Sequence, residues 1–283
     1  MTMSADTRQP LLAIVFAAPV PYGAALQWQA ALVSARQAGR VPDVLLVLEH
    51  TPVITCGVRA RAAHILAAPA RLAELGIELH STPRGGDVTY HGPGQWVLYP
   101  ILKLTGADAD AHAFVSSLEE AAIRTAGDFG VAATRRAGKT GVWTDSGKIA
   151  AIGVRFQKWV SSHGMSFNAA PDLSHFDLIV PCGLAGERVT SLRALLGSAC
   201  PSRDAVRDAL LRHFATVFGR EVEVVMNGTP DMPDAVTRLL KTTANPSTGD
   251  RHVRALAVAG RFRSGHRNLS VQHDAEFAKT SRR

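Results

Sequence analysis

Cys182 stands between Pro181 and Gly183. That setting marks a chain reversal, with backbone N–H groups nearby to receive a carbonyl oxygen. A thiol so placed can serve as an acyl nucleophile, although an intracellular cysteine more commonly fills space as a small hydrophobe. Cys56 and Cys200 give weaker signals: the first ends a β-type run and the second precedes Pro201 in a loop. Lys148 opens an apolar strand, Ile149-Ala150-Ala151-Ile152-Gly153-Val154. A lysine there is usually a solvated edge residue; the functional alternative is a cation that lowers a thiol pKa. Ala150, Ala151 and Gly153 leave room for something slim against the strand. His163 and Gly164 again set a glycine beside polar groups, and a lone histidine is more often structural than catalytic. Residues 84–95 hold Arg84, Gly85, Gly86, Asp87, Tyr90, His91, Gly92, Pro93 and Gly94. Such glycine density means a sharp turn or a close backbone approach. A phosphate cradle and a bare β-hairpin corner are both open readings, but no phosphate-loop spacing is present.

The elements that must position these residues follow from periodicity. Residues 11–18, 44–48, 53–56, 77–80, 96–102, 130–134, 141–144, 148–156 and 221–225 read as strands. Residues 24–40, 61–75 (cut at Pro69), 110–129 and 202–219 read as helices. Asp110 is placed to cap the third helix, with Phe114, Leu118, Ala122 and Ala126 on one face. On the first helix, Leu26, Ala30, Val33 and Gln37 share a face. Strands and helices mix without strict βαβ alternation, which favours an α+β layer architecture, a mixed sheet flanked by helices.

The chain has 283 residues, 46% of them hydrophobic, enough for one large domain with a substantial core. No stretch reads as a membrane span or a secretory leader. Three cysteines without metal spacing suit a reducing compartment and no metal. The net charge of +7 is misleading. From Arg251 to Arg283 eight basic residues face only Asp274 and Glu276, so that tail holds six of the seven net charges. A nucleic-acid-binding core is therefore not indicated. The expected organisation is a catalytic unit over residues 1–226, a Pro/Thr/Asn/Gly-rich linker over 227–250 and a basic tail over 251–283.

Taken together, four motifs resemble the signatures of the lipoyl(octanoyl) transferases. They are Arg84-Gly85-Gly86-x-x-Thr89-Tyr90-His91-Gly92-x-Gly94-Gln95 with Tyr99-Pro100; Lys148 to Val154; His163-Gly164-x-x-x-Asn168; and Pro181-Cys182-Gly183. Leu48-Glu49-His50-x-Pro52-Val53 and Thr55-x-Gly57 add to the likeness, which runs from about residue 11 to about 225. The resemblance implies the α+β biotin/lipoyl protein ligase fold. It also implies transfer of an octanoyl (or lipoyl) group from acyl carrier protein to a lysine of a lipoyl domain, the first step of protein lipoylation. The acceptors would be the E2 subunits of 2-oxoacid dehydrogenases and the glycine cleavage H protein, in the cytoplasm, with no cofactor, nucleic acid or membrane involved. Cys182 would match the acyl-thioester nucleophile and Lys148 the lysine that lowers its pKa. Arg84, Gly85, Gly86, Asp87, Val88, Thr89, Tyr90 and His91, with Ala151, Ile152, Gly153, Gly164, Met165 and Ser166, would match the substrate-binding segments. On that view residues 84–95 form one wall of an acyl slot, with Tyr90 and His91 at its thioester end.

The chemistry is consistent with this. An acyl group that arrives as a thioester needs no ATP, and a thiol nucleophile divides the reaction into two transfers. A thiol of pKa about 8.5 is only about 3% thiolate at neutral pH. Lowering it to roughly 6.5 raises thiolate about 25-fold but returns about eightfold in nucleophilicity. Charge alone therefore gains only a few-fold, and Lys148 is expected to carry protons as well. The alternatives are an ATP-dependent lipoate or biotin ligase of the same fold, which leaves Cys182 without a task; an amidotransferase between lipoyl domains; a Cys/His hydrolase using His163 or His175; and a binding module without catalysis. An acidic carrier protein calls for a basic docking surface. Arg135, Arg136 and Lys139 form one candidate, Arg155 and Lys158 another, and the tail a third.

Overall fold

The computed structural model describes residues 10–180, 186–229, 231, 232, 234 and 237. Eight strands form a mixed sheet in the order β11-β1-β2-β6-β10-β9-β8-β7, and three more form a small sheet in the order β4-β3-β5. At the centre of the large sheet, β1 (Leu11–Phe16), β2 (Val44–Leu48) and β6 (Gln95–Ile101) are buried along their whole length. Strands covered on both faces must be apolar at every position, which is why they read as continuous runs. Alternate side chains go to opposite faces. Leu11, Ala13, Val15, Leu45 and Val47 face α3 (Ala111–Asp128) and α5 (Arg203–Phe218), whereas Leu12, Ile14, Phe16, Leu46 and Leu48 face α1 (Tyr22–Gln37). β1 pairs in parallel with both β2 and β11 (Val222–Asn227), and β2 pairs antiparallel with β6.

Asp110 caps α3 as expected, its carboxylate accepting from His112 N at 2.7 Å and Ala113 N at 3.1 Å. Phe114, Leu118, Ala122 and Ala126 are buried together. α5 likewise starts at Ser202 and stops at Gly219, whose φ of +58° suits glycine. The buried stripe of α1 differs from expectation. It runs through Tyr22, Ala25, Gln29, Leu32, Val33 and Ala35, while Ala30 and Gln37 are exposed. An alanine-rich helix offers several plausible apolar faces, and the sheet selects one. The expected helix over 61–75 is instead a 3₁₀ turn at Ala62–His64 followed by α2 (Pro69–Glu74). Pro69 starts α2 rather than cutting a longer helix, because the first helical turn needs no proline N–H. The expected strand at 130–134 is displaced: Gly130, with φ +75°, ends the turn after α3, and β7 covers Thr134–Arg136.

β10 (Val160–Asn168) had no strand signal, since serine, histidine and glycine fill it, yet all nine residues are buried. It pairs antiparallel with β6 on one side and with β9 (Gly147–Gln157) on the other. β8 (Lys139–Thr144) continues the sheet beyond β9. In the small sheet, β3 (Val53–Cys56) lies between β4 (Glu78–Ser81), in parallel, and β5 (Val88–His91), antiparallel. The expected strand at 77–80 shifts by one residue. The last strand ends at Asn227, and buried Met232 packs with the α1-side core. Linker residues 230, 233, 235, 236 and 238–250 and the whole basic tail lie outside the described residues, as do Pro181, Cys182 and Gly183.

β10 can lie this close to β6 only because Gly164 has no side chain: a Cβ there would sit 2.1 Å from Leu98 O. Gly164→Ala should cost about 3 kcal/mol through forced separation of the two strands. Gly130→Ala, at a left-handed but open position, should cost only about 1 kcal/mol. Urea unfolding of the two variants checks the difference.

Candidate active site

A cavity lies between the small sheet and the β6, β9 and β10 strands of the large one. Arg84, Gly86, Asp87, Thr89 and His91 form one wall; Val97 and Tyr99 come from β6, Ala151, Ile152 and Gly153 from β9, and His163, Gly164, Met165 and Ser166 from β10. Tyr22, on the first turn of α1, completes it. A smaller cavity adjoins it, lined by Lys148, Gln95, Asn168, Phe176 and Val189 and sharing Thr89, Ala151 and Ser166 with the first. The two meet at small side chains.

The wall at 84–87 rests on β9 backbone to backbone. Gly85 N donates to Val154 O at 3.0 Å, and a Cβ on Gly153 would lie 2.6 Å from Gly85 O. Gly57 fits against the same loop, since its Cβ would come within 2.4 Å of Gly86 O. The buried Arg84 guanidinium pins the loop by donating to Thr55 O and Asp87 O, both at 2.7 Å.

Eleven of the expected substrate-binding residues thus line the larger cavity: Arg84, Gly86, Asp87, Thr89, His91, Ala151, Ile152, Gly153, Gly164, Met165 and Ser166. Gly85, Val88 and Tyr90 do not. Gly85 faces the β9 backbone. Val88 and Tyr90 belong to the opposite parity of β5 and pack with Ile54, Leu72 and Phe176. The Tyr90 hydroxyl lies 2.8 Å from His175 Nδ1, and Tyr90 is not part of the larger cavity's lining; the thioester end expected beside it at Cys182 lies outside the described residues. Tyr22 and Val97 were not singled out by the sequence, and Gln95 and Tyr99 stood in the first motif without being expected to line the site. Val97 and Tyr99 could have been found from the two-residue period of β6; Tyr22 carried no such signal.

Lys148 is 6% exposed and is no solvated edge residue. Its Nζ donates to Thr140 O at 3.1 Å and sits 4.7 Å from the Trp143 ring centroid. Gly141 makes the space: a Cβ there would stand 3.3 Å from the Lys148 Cε. The backbone of Lys148 also holds the segment that follows the described gap, with its N–H donating to Arg188 O at 2.8 Å and its carbonyl accepting from Thr190 N at 2.9 Å. Before the gap, Val180 N donates to His64 O at 2.8 Å. His64 in turn lies 2.6 Å from Asp87 on the cavity wall.

Burial favours the neutral form of His91 and His163, which line the cavity, and of His50 behind it. Burial lowers the His50 pKa to about 4 and those of His91 and His163 to about 3. Burial raises the Cys56 pKa, which makes that half-buried thiol a weaker nucleophile. Among the described residues, no group of three or more His, Cys, Asp or Glu is disposed to hold a metal ion, and no helix is long and apolar enough to cross a membrane. Arg135, Arg136 and Lys139 do not make an unopposed basic patch. Arg135 pairs with Glu119 and Glu120, and Arg136 and Lys139 pair with Glu187.

The lipoyl protein ligase A/B catalytic domain model matches residues 21–215. An octanoyltransferase of Chloroflexus aurantiacus is 44% identical over 216 residues, covering 75% of this chain and 96% of its own. One of Gloeobacter violaceus is 48% identical over 207 residues, covering 72% and 89%, and a mitochondrial octanoyltransferase of Arabidopsis thaliana is 41% identical over 216 residues, covering 75% and 91%. Among solved structures, lipoate-protein ligase A bound with ATP superposes with a TM-score of 0.63 at 17% identity, covering 86% of this chain and 99% of that one. A bipartite lipoate protein ligase of Thermoplasma acidophilum gives 0.59 at 17%, covering 83% and 91%. At such identities these two speak for the fold alone, which is the expected α+β architecture. The chain belongs to the lipoyl protein ligase A/B catalytic domain family, among relatives named octanoyltransferase.

Proposed function

We propose that this protein is an octanoyltransferase that takes the octanoyl group from acyl carrier protein onto Cys182 and passes it to a lysine of a lipoyl domain. The observation that carries this reading is the buried Lys148 beside the smaller cavity, which meets the larger one at Thr89, Ala151 and Ser166. Its own backbone holds Arg188 and Thr190, while His64 holds Val180, so both flanks of the Pro181-Cys182-Gly183 segment are tied to the site. The larger cavity, narrow and glycine-walled, suits a thin alkyl chain.

In the first transfer the Cys182 thiolate attacks the thioester carbonyl carbon. A new C–S bond forms, the bond to the carrier sulfur breaks, and Lys148 gives the departing thiolate a proton. In the second, the lipoyl-domain amine attacks the acyl-cysteine. The C–N bond forms, the C–S bond to Cys182 breaks, and Lys148 takes up the amine proton. The acyl group arrives activated, so ATP has no role. The acceptors on this reading are the E2 lipoyl domains and the glycine cleavage H protein, in the cytoplasm, with residues 1–226 as the catalytic unit.

Incubation with octanoyl-carrier protein without ATP should give an octanoyl adduct by intact mass. The adduct should vanish in Cys182→Ser and persist in Cys56→Ser and Cys200→Ser; an adduct that survives Cys182→Ser sinks the nucleophile assignment. Lys148→Arg keeps a charge but is a poor proton carrier, so turnover should fall by about 100-fold. Near-normal turnover would show that charge suffices. Gly86 is an unsuitable steric probe, because its φ of +93° strains any side chain. Ala151→Leu fills the junction instead and should slow acylation by at least about tenfold. Its melting temperature should stay within a few degrees of wild type, and unchanged acylation rates would mean that the acyl chain does not lie there.

A further inference from the structure

His91 is held at the end of a hydrogen-bond chain that runs in one direction only. The Asn168 amide nitrogen donates to Thr190 O at 2.9 Å, which turns Asn168 Oδ1 toward Gln95. Gln95 Nε2 donates to that oxygen at 2.8 Å and to Tyr90 O at 3.3 Å. Both partners are pure acceptors, so the nitrogen end of Gln95 is fixed and its Oε1 is the atom 2.6 Å from His91 Nδ1. An amide oxygen can only accept, and Nδ1 therefore carries the proton. The ring is neutral, which leaves Nε2 with a bare lone pair. No hydrogen bond to Nε2 occurs among the described residues, and the imidazole lines the larger cavity.

His50 shows what is distinctive here. Its Nδ1 donates to Val20 O at 2.8 Å and its Nε2 accepts from the Tyr99 hydroxyl at 2.7 Å. It has the same tautomer, but its lone pair is already used inside the protein. The lone pair of His91 has no such donor among the described residues and faces the space open to a ligand. At the other end of the chain, Thr190 N donates to the carbonyl of Lys148, so the acceptor on His91 and the proposed proton carrier are joined through one network.

We propose that Gln95 and Asn168 are positioning residues that lock His91 as its Nδ1–H tautomer, so that Nε2 accepts a hydrogen bond from the incoming lysine amine during the second acyl transfer. This rests on the function argued above. Of the two reacting groups, the thioester offers only acceptors, and the amine alone can satisfy Nε2. The hydrogen bond orients the amine so that its lone pair meets the carbonyl carbon. The proton still leaves to Lys148 as the C–N bond forms and the C–S bond breaks; His91 holds an N–H without taking the proton.

The tautomer is tested on the whole protein labelled with ¹⁵N-histidine, using long-range ¹H–¹⁵N correlation at pH 7, with the His91 signals assigned by their loss in His91→Phe. The expected pattern is a protonated Nδ1 and a bare Nε2, and a proton on Nε2 overturns the lock. Gln95→Met removes the acceptor and should give a mixed tautomer pattern, which checks the assignment if His91→Phe folds poorly. The role is tested by timing the half-reactions apart: acylation by octanoyl-carrier protein, then discharge of isolated acyl-enzyme to a lipoyl domain. In His91→Phe, discharge should fall by about 100-fold, at least ten times more than acylation, and Gln95→Met should slow discharge by about tenfold. Equal losses in both steps, or unaltered discharge, overturn the role. If wild-type protein forms no acyl-enzyme, the functional reading fails and the role with it; the tautomer result distinguishes the two failures.

Discussion

The site depends on main chain lying directly against main chain. Gly85 O sits where a Cβ of residue 153 would be, Gly86 O where a Cβ of residue 57 would be, and Leu98 O where a Cβ of residue 164 would be. Each contact removes one side-chain layer between neighbouring segments. The β3–β5 sheet and the loop at 84–87 can therefore approach β9 and β10 closely enough to leave a slot instead of an open groove. The slot's width is set by peptide backbones, which cannot change rotamer. A methyl group at any of these positions must displace a carbonyl, not a flexible chain end.

Polar groups line that slot, and nearly all have partners. Arg84 is consumed by carbonyl oxygens and Thr55, His50 by Val20 and Tyr99, and Gln95 by His91, Asn168 and Tyr90. A buried polar group that keeps a partner costs little, whereas one left alone costs a few kcal/mol, about 1–3 for a typical hydrogen-bonding atom. The network also fixes direction, because each amide has one way round that satisfies it. Neutral histidines follow from burial, so the fixed charges at the cavity are few and placed.

Lys148 links β8 with the segment at 188–190. Its side chain lies under Thr140 and Trp143 on β8, and its backbone holds Arg188 and Thr190. A lysine near the start of β9 thus ties residues 188–190 to the large sheet through its own backbone. The basic stretch at Arg135, Arg136 and Lys139 has a different character from the one its sequence suggested, since these side chains are balanced by Glu119, Glu120 and Glu187.

The sequence by itself determined the central strands, because residues covered on both faces must be apolar throughout. It determined the caps at Asp110 and Ser202, since a side-chain oxygen there satisfies a local N–H. The order of motifs also identified the family. Tertiary structure decided the rest. Which of Val88, Thr89, Tyr90 and His91 faces the cavity depends on strand parity, and that parity is set by pairing with β3, 32 or more residues away in sequence. The polar run at 160–168 became a buried strand because β6 and β9 satisfy its backbone on both sides, a fact invisible to any local pattern. The face of α1 was chosen by the sheet, which brought Tyr22 to the slot. Whether Lys148 is solvated or buried was likewise undecided until Gly141 and Trp143 made a place for it, because a side chain's environment is a sum over neighbours distant in sequence.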